Sequence, residues 1–328
     1  MDNRIPTPAD GKPSTGFIDL QVNGYGGIDF NSDDLTADRL HAACEHLRRD
    51  GVEAILATII TDSLDAMTAR LARLVELRAA DPVAEQLIWG LHIEGPFINR
   101  EKGYVGAHPA DAVIPADRTA MERLLDAAGG LARIVTLAPE CDAGFAVIRF
   151  LADQRIVVSA GHSNASLDDL RGAIDAGLSM FTHLGNGCPA TLPRHDNIIQ
   201  RVLSLADRLW ISFIADGVHV PSFALANYLR SARPDRTLIV SDAISAAGLG
   251  PGRYTIARRE VQVGPDLAVR SEDGTHLVGS AVTMKRAREI LATEVGLEDN
   301  QIHNVCAANA RALIFGGEAA DSTMRVGS

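Results

Sequence analysis

Ile156-Val157-Val158-Ser159-Ala160-Gly161-His162-Ser163, then a polar helical segment ending at Ala176-Gly177, then Met180-Phe181-Thr182-His183-Leu184-Gly185-Asn186-Gly187, is the stretch whose reading decides the fold. Each half is a short apolar run of strand type closed by a histidine, and the segment between has the length that one crossover helix needs to join two parallel strands. The two imidazoles are therefore expected at the same end of neighbouring strands, where β/α folds carry their chemistry. Two histidines a strand apart, with a carboxylate from a third strand, make the His₂Glu set of a catalytic zinc site, which leaves one coordination position open for water. One such histidine alone is as readily a satisfied core residue. Matched strand ends are what point to a metal.

Outward from this stretch the alternation continues in both directions. Gly16 to Gly24 reads as strand one, ending in a glycine-rich turn, and further strands are expected at 52–60, 87–94, 133–137, 156–159, 180–183, 210–214 and 237–240. Helical spacing marks about 37–50, with Leu40, Ala43, Cys44 and Leu47 on one face, and a second helix through Leu64, Met67, Leu71, Leu74 and Val75. Further helices are expected near 119–128, 145–154, 166–176, 197–206, 222–231, 282–295 and 299–315. Eight strands alternating with helices predict an α/β fold, a closed (β/α)₈ TIM barrel over residues 16–315. Residues 1–15 read as a lead-in, 316–328 as a tail, and 249–280, punctuated by Gly250, Gly252, Gly264 and Gly274, as a small β-hairpin insert.

Composition narrows the function classes. The 328 residues are 46% hydrophobic, enough for one large core, and carry a formal net charge of −11 with no Lys/Arg run longer than two. A nucleic-acid or anionic-membrane partner is thereby disfavoured, and a small molecule is expected. Cys44, Cys141, Cys188 and Cys306 are too dispersed for a disulfide framework or a thiolate zinc knot. The polar start Met1-Asp2-Asn3-Arg4 lacks an apolar leader, so a cytoplasmic location is expected.

Three more strand ends carry chemistry. Leu91-His92-Ile93-Glu94-Gly95-Pro96 leaves Glu94 at the rim of strand three, the candidate third metal ligand, with His92 either a structural or a catalytic partner on the same face. Ser241-Asp242-Ala243 puts Asp242 at the rim of strand eight, where a carboxylate can take a proton from an attacking water and pass it to the leaving group. His219, a little past strand seven, is assigned to substrate, while Asn186, Gly187 and Arg194 could hold an anion through backbone amides and a guanidinium.

Taken in order, Gly16-Phe17-Ile18-Asp19, His92-Ile93-Glu94-Gly95-Pro96, Gly161-His162-Ser163, Thr182-His183-Leu184 with Asn186, Ala215-Asp216-Gly217-Val218-His219, Ser241-Asp242-Ala243 and Leu277-Val278-Gly279-Ser280 span residues 16 to 315. In these motifs the chain resembles the N-acetylglucosamine-6-phosphate deacetylases of the amidohydrolase superfamily. The resemblance implies that Glu94, His162 and His183 hold the metal, that Asp242 is the acid/base, and that His108, in Gly106-Ala107-His108-Pro109, polarises the amide carbonyl. It also implies that Asn186, Gly187, Arg194 and His219, with Leu277 and Gly279 of the last motif, contact the sugar phosphate, Arg194 reaching a neighbouring subunit's site in a homodimer.

Three departures qualify the match. Many amidohydrolases end strand one in His-x-His and hold two metals, whereas here those positions are Gln21 and Asn23, so one divalent metal per chain, zinc, is expected. The loop Leu184 to Cys188 has glycine where the family usually has an aromatic residue, and the stretch Pro193-Arg194-His195-Asp196-Asn197 is unlike the family's. The family's small β-sandwich, built from both termini, is expected to be reduced or absent. The expected reaction is metal-dependent hydrolysis of the acetamide of N-acetyl-D-glucosamine 6-phosphate in amino-sugar catabolism. The alternatives are another N-acyl substrate, such as an unphosphorylated acetamido sugar or an N-acyl amino acid, and a non-catalytic sugar-phosphate-binding barrel. The intact Glu94, His162, His183 and Asp242 argue against the last of these.

Overall fold

A computed structural model describes residues 16–256, 259–271 and 277–316, so the lead-in 1–15 and the tail from 317 lie outside the described residues. Eight strands, β1 (Phe17–Val22), β2 (Val52–Ile60), β3 (Ile88–Glu94), β4 (Ala132–Leu137), β5 (Val157–Ala160), β6 (Leu178–Phe181), β7 (Trp210–Ile214) and β8 (Thr237–Val240), form one sheet in sequence order. Each ladder from β1 through β8 is parallel. Their near-continuous apolar runs suit strands buried on both faces, inside by barrel side chains and outside by helices. The result is the expected (β/α)₈ barrel, closed except at one seam.

The seam lies between β8 and β1, where no ladder forms. Instead Val22 and Ala243 make a single bridge, Asn23 N–H donates to Ala243 O at 2.7 Å, and Ser241 donates to the buried Asp19 carboxylate through its backbone N–H and its hydroxyl. Ala243 bridges Ser280 on its other side, which ties the insert to the barrel at the same point. The insert is larger than the hairpin expected. It is a four-stranded antiparallel sheet, β9 (Gly252–Ile256), β10 (Arg259–Val263), β11 (Ala268–Ser271) and β12 (Leu277–Ser280), with its own small core of Val261, Val263 and Val269 against Ile244 and Ala246.

Helices follow the apolar spacing. The first, Ala37–Arg49, is capped by Thr36 and buries Leu40, Ala43, Cys44 and Leu47, and Leu167–Asp175 starts in a Ser166/Asp169 capping box. The second helix, Leu64–Ala80, is followed directly by a short one, Pro82–Leu87, which the sequence reading missed. Asp81 accepts from Val83 N–H and Pro82 occupies the first turn, so Leu87 closes a helix and β3 begins at Ile88. Strand six is also shifted: it ends at Phe181, because His183 N–H is taken by the Ser212 hydroxyl at 2.8 Å.

The chain's last described helical stretch, Asp299–His303 and Asn309–Phe315 joined by a wide π turn, closes the N-terminal mouth of the barrel. Ala307 and Ala310 pack on Ile18, Leu20, Leu56 and Leu238, and the Asn309 amide donates to Pro234 O and Thr237 O at 2.7 Å each. Among the described residues no helix is long and apolar enough to cross a membrane. With the N-terminal mouth plugged, chemistry is left to the opposite end.

Candidate metal centre and active site

At that opposite end one offset recurs. β5, β6, β7 and β8 end at Ala160, Phe181, Ile214 and Val240, and His162, His183, Asp216 and Asp242 each stand two residues beyond. Three of the four have left-handed backbones, with φ of +51° at His162, +36° at His183 and +49° at Asp242. Such values are uncommon for residues with a Cβ and cluster where a site over-determines them. Glu94 differs in being the last residue of its ladder. The chain then turns through Gly95 at φ +86°, where a Cβ would lie 2.0 Å from Thr61 Oγ1.

The ligand atoms of Glu94, His162 and His183 all lie within 4.8 Å of one another. Glu94 Oε1 is 3.0 Å from His183 Nε2 and 3.4 Å from His162 Nε2, with side-chain exposures of 3%, 3% and 7%. Zinc–ligand distances of about 2.0–2.1 Å at a tetrahedral angle separate ligand atoms by roughly 3.3 Å, so the donor set fits a metal ion. Orientation agrees: His162 donates its Nδ1–H to Tyr104 O at 2.8 Å, so Nε2 is the ring atom turned toward the cluster. Gly187, at φ +60°, lies against the same ring, where a Cβ would approach Nδ1 to 2.9 Å.

Around the cluster stand groups with distinct electrostatics. Burial alone would raise Glu94, but hydrogen bonds from His162 and His183 and the His183 charge hold it well below the usual carboxylate range. Burial, then the charge of Glu94, pushes Asp242 up to about 6, against the pull of His183 and of Asn23, whose Nδ2 donates to Asp242 Oδ1 at 2.8 Å. His108 Nε2 lies 3.2 Å from His162 Nε2, and burial followed by the His162 charge lowers His108 to about 3, so this ring is neutral. Gln21 Nε2 donates to both Glu94 oxygens at 3.1 Å. Buried Gln21 Oε1, Asn23 Oδ1, His108 Nδ1 and His183 Nδ1 have no partner, an unusual density of unmet polar atoms that suits a polar guest.

The remaining sequence candidates separate. His92 is a structural partner: its ring spans Leu20 O at 3.1 Å and Thr136 Oγ1 at 2.8 Å, and a buried hydroxyl chain continues to Thr182 and Ser159 beneath the cluster. Asn186 folds back on its own loop, donating to His183 O at 3.2 Å. Arg194 is exposed and makes no hydrogen bond or ion pair among the described residues. His219 is paired with Asp216. Leu277 opens β12, and Gly279, at φ +89°, lies where a Cβ would come within 2.5 Å of Ile244 Cγ2.

Sequence reading missed the supports. Tyr104 acts through its carbonyl, which no side-chain pattern reveals. Glu140 accepts from Asn99 Nδ2, Ser163 Oγ and Asn164 N–H, and so clamps the loop that carries His162. Asp216 shares the offset of the other rim residues, which shows only once the strand ends are fixed at Ala160, Phe181, Ile214 and Val240.

A relative from Bacillus subtilis, N-acetylglucosamine-6-phosphate deacetylase, is 31% identical over 309 residues, covering 93% of this chain and 76% of the relative. The chain belongs to this deacetylase family. Another member, N-acetylgalactosamine-6-phosphate deacetylase of Escherichia coli, is 32% identical over 83% of this chain and 70% of its own length. The human N-acetylglucosamine-6-phosphate deacetylase is 37% identical, and here the chain spans 61% of the relative's length. Among solved structures, the Mycobacterium smegmatis deacetylase in complex with N-acetyl-D-glucosamine-6-phosphate matches with a TM-score of 0.82 at 26% identity, over 91% of this chain and 77% of that one. The Pasteurella multocida deacetylase matches with a TM-score of 0.80 at 29% identity, over 91% and 76%. No family model matches the chain.

Proposed function

We propose that this chain, with residues 16–315 as its catalytic unit, hydrolyses the acetamide of N-acetyl-D-glucosamine 6-phosphate to D-glucosamine 6-phosphate and acetate in amino-sugar catabolism. The observation that carries this reading is the convergence of Glu94, His162, His183 and Asp242 on one barrel mouth in a member of this deacetylase family. Glu94, His162 and His183 would hold one divalent cation, zinc on the chemistry of a carboxylate and two imidazoles. Gln21 and Asn23 offer a second ion only amide oxygens, which are weak donors to such metals. When bound, the cation lowers the pKa of a water and polarises a carbonyl.

The chain's own groups do the rest. Asp242 accepts the proton of the attacking water and returns it to the amide nitrogen as the C–N bond breaks, so that acetate and a free amine leave. His108, neutral through burial, donates a ring N–H to the carbonyl oxygen as negative charge gathers there. The buried surroundings strengthen both interactions. Asn186, Gly187, His219, Leu277 and Gly279 form the surface for the sugar, and exposed Arg194 is free to meet phosphate. A cytoplasmic homodimer with no nucleic-acid or membrane partner completes the reading, on the family resemblance and the net charge of −11.

The test is acetate release by the purified, metal-loaded protein from four sugars: N-acetylglucosamine and N-acetylgalactosamine, each with and without the 6-phosphate. The galactosamine pair is included because the Escherichia coli relative is named for that epimer. Turnover of the 6-phosphoglucosamine derivative above the other three is expected. Equal turnover of plain and phosphorylated sugar overturns the phosphate assignment, and no acetate from any of them overturns the hydrolase reading.

A further inference from the structure

Asp216 is a buried acid at the barrel mouth that the proposed reaction leaves without a task. It stands two residues past β7, the offset that His162, His183 and Asp242 keep on β5, β6 and β8. Its Oδ1 accepts the backbone N–H of Val218 at 2.9 Å and of His219 at 2.8 Å, so the carboxylate is held in a fixed orientation. Those two bonds would suffice for an acid whose only work was to close a turn. The second oxygen does something more: Oδ2 lies 2.6 Å from His219 Nδ1, in the range of a charge-assisted hydrogen bond.

We infer that Asp216 is a positioning residue for His219, holding the imidazole with its proton on Nδ1 so that Nε2 is the ring atom offered to the substrate. An ionised carboxylate can only accept, so the shared proton belongs to the ring and the tautomer follows from the partner. Asp216 is ionised: burial would raise it, but the hydrogen bond and charge of His219 and the two backbone amides lower it below the ordinary carboxylate value. Among the described residues Nε2 of His219 has no hydrogen-bond partner, and the His219 charge acts on Asp242, which sets the ring within electrostatic reach of the proposed reaction centre. The arrangement is that of a hydrolase triad, in which a buried aspartate fixes the tautomer of a histidine that meets substrate. Here the histidine binds and does not transfer the proton.

Substrate contact at Nε2 rests on the proposed deacetylase function, whereas the tautomer does not, and the experiments separate the two. Two-bond ¹H–¹⁵N correlation spectra of the full chain labelled in histidine report which ring nitrogen of His219 carries the proton. The wild-type protein is expected to show Nδ1–H, and Nε2–H alone would overturn the inference without any variant. In Asp216→Asn the amide keeps an oxygen for the two backbone N–H groups and turns an NH₂ toward Nδ1, so the proton should move to Nε2. KM for the acetamido-sugar phosphate should then rise roughly tenfold, the scale of one hydrogen bond, with kcat within about twofold of wild type. In a His219→Gln background Asp216→Asn should add no further rise, whereas an equal rise in both backgrounds would mean that Asp216 serves only the loop. Absence of acetate from every sugar would sink the functional reading and leave the tautomer result standing.

Discussion

Asn23 Nδ2 donates to Asp242 Oδ1 at 2.8 Å, across the seam where the first and last barrel strands meet without a ladder. A donor to a carboxylate favours its ionised form, and Asp242 must be ionised to accept a proton. Since burial and Glu94 push Asp242 up to about 6, kcat/KM should fall as pH drops through that region. Asn23→Ala removes the donor, so the acid limb should move to higher pH while activity near pH 8 changes much less. A pH–rate profile with its acid limb unmoved in the variant would disprove the coupling.

Asp242→Asn is a clean probe of the proton-transfer step. Asparagine tolerates the left-handed backbone that position 242 adopts, so the fold and metal content should persist. The amide cannot take the proton from water, and kcat should fall by on the order of 10²–10⁴. Near-normal turnover would remove Asp242 from the mechanism.

Replacing His162 or His183 by alanine should abolish tight metal binding and activity together, because each leaves the cluster with only two donors. In the wild type, elemental analysis during metal titration should show activity saturating at about one equivalent per chain. Saturation at two would mean that Gln21 and Asn23 do support a second ion.

Arg194→Ala should weaken binding of a phosphorylated substrate by about 1.5–3 kcal/mol, the scale of a hydrogen bond to a charged group. An unphosphorylated analogue should be almost unaffected. Equal losses for both would show that Arg194 does not read phosphate.

Asp19 makes a prediction about stability. Burial raises it from 3.8 to about 7 even though Ser241 and Gln21 hydrogen-bond to it. A folded pKa above the unfolded one means that folding takes up a proton between those two values. The stabilising contribution is therefore full below about 4 and is lost as pH rises through 7. Urea unfolding of metal-free wild type and Asp19→Asn should show the difference shifting in favour of the wild type between pH 8 and pH 5. A difference constant over that range would mean that Asp19 does not titrate in the folded chain.

The barrel was legible because its strands are continuous apolar runs and its helices keep amphipathic spacing, as Leu40, Ala43, Cys44 and Leu47 do. The strand ends were less so. His183 extends an apolar run in sequence, and only the Ser212 hydroxyl, taking its backbone N–H, shows that the ladder has already stopped. A positive φ at a residue with a Cβ leaves no mark in sequence, so the common offset of the rim residues emerged only in three dimensions. The insert read as a hairpin because glycines cut its four short strands into fragments with few apolar residues each. The candidate ligands could be picked out because carboxylate and imidazole closed successive strands. Their supports could not, since Tyr104 contributes a carbonyl and Glu140 gathers partners from two separate loops.

The seam has a consequence for biosynthesis. All three candidate ligand side chains are present once residue 183 has left the ribosome, whereas the proton acceptor at 242 waits for β8, with its carboxylate held by Asn23 and its backbone carbonyl by Ser280 N–H. A nascent chain can therefore possess its metal-binding side chains well before it possesses the group that makes a bound metal useful. Cation capture and catalytic competence are separated in time by at least the synthesis of residues 184 to 242.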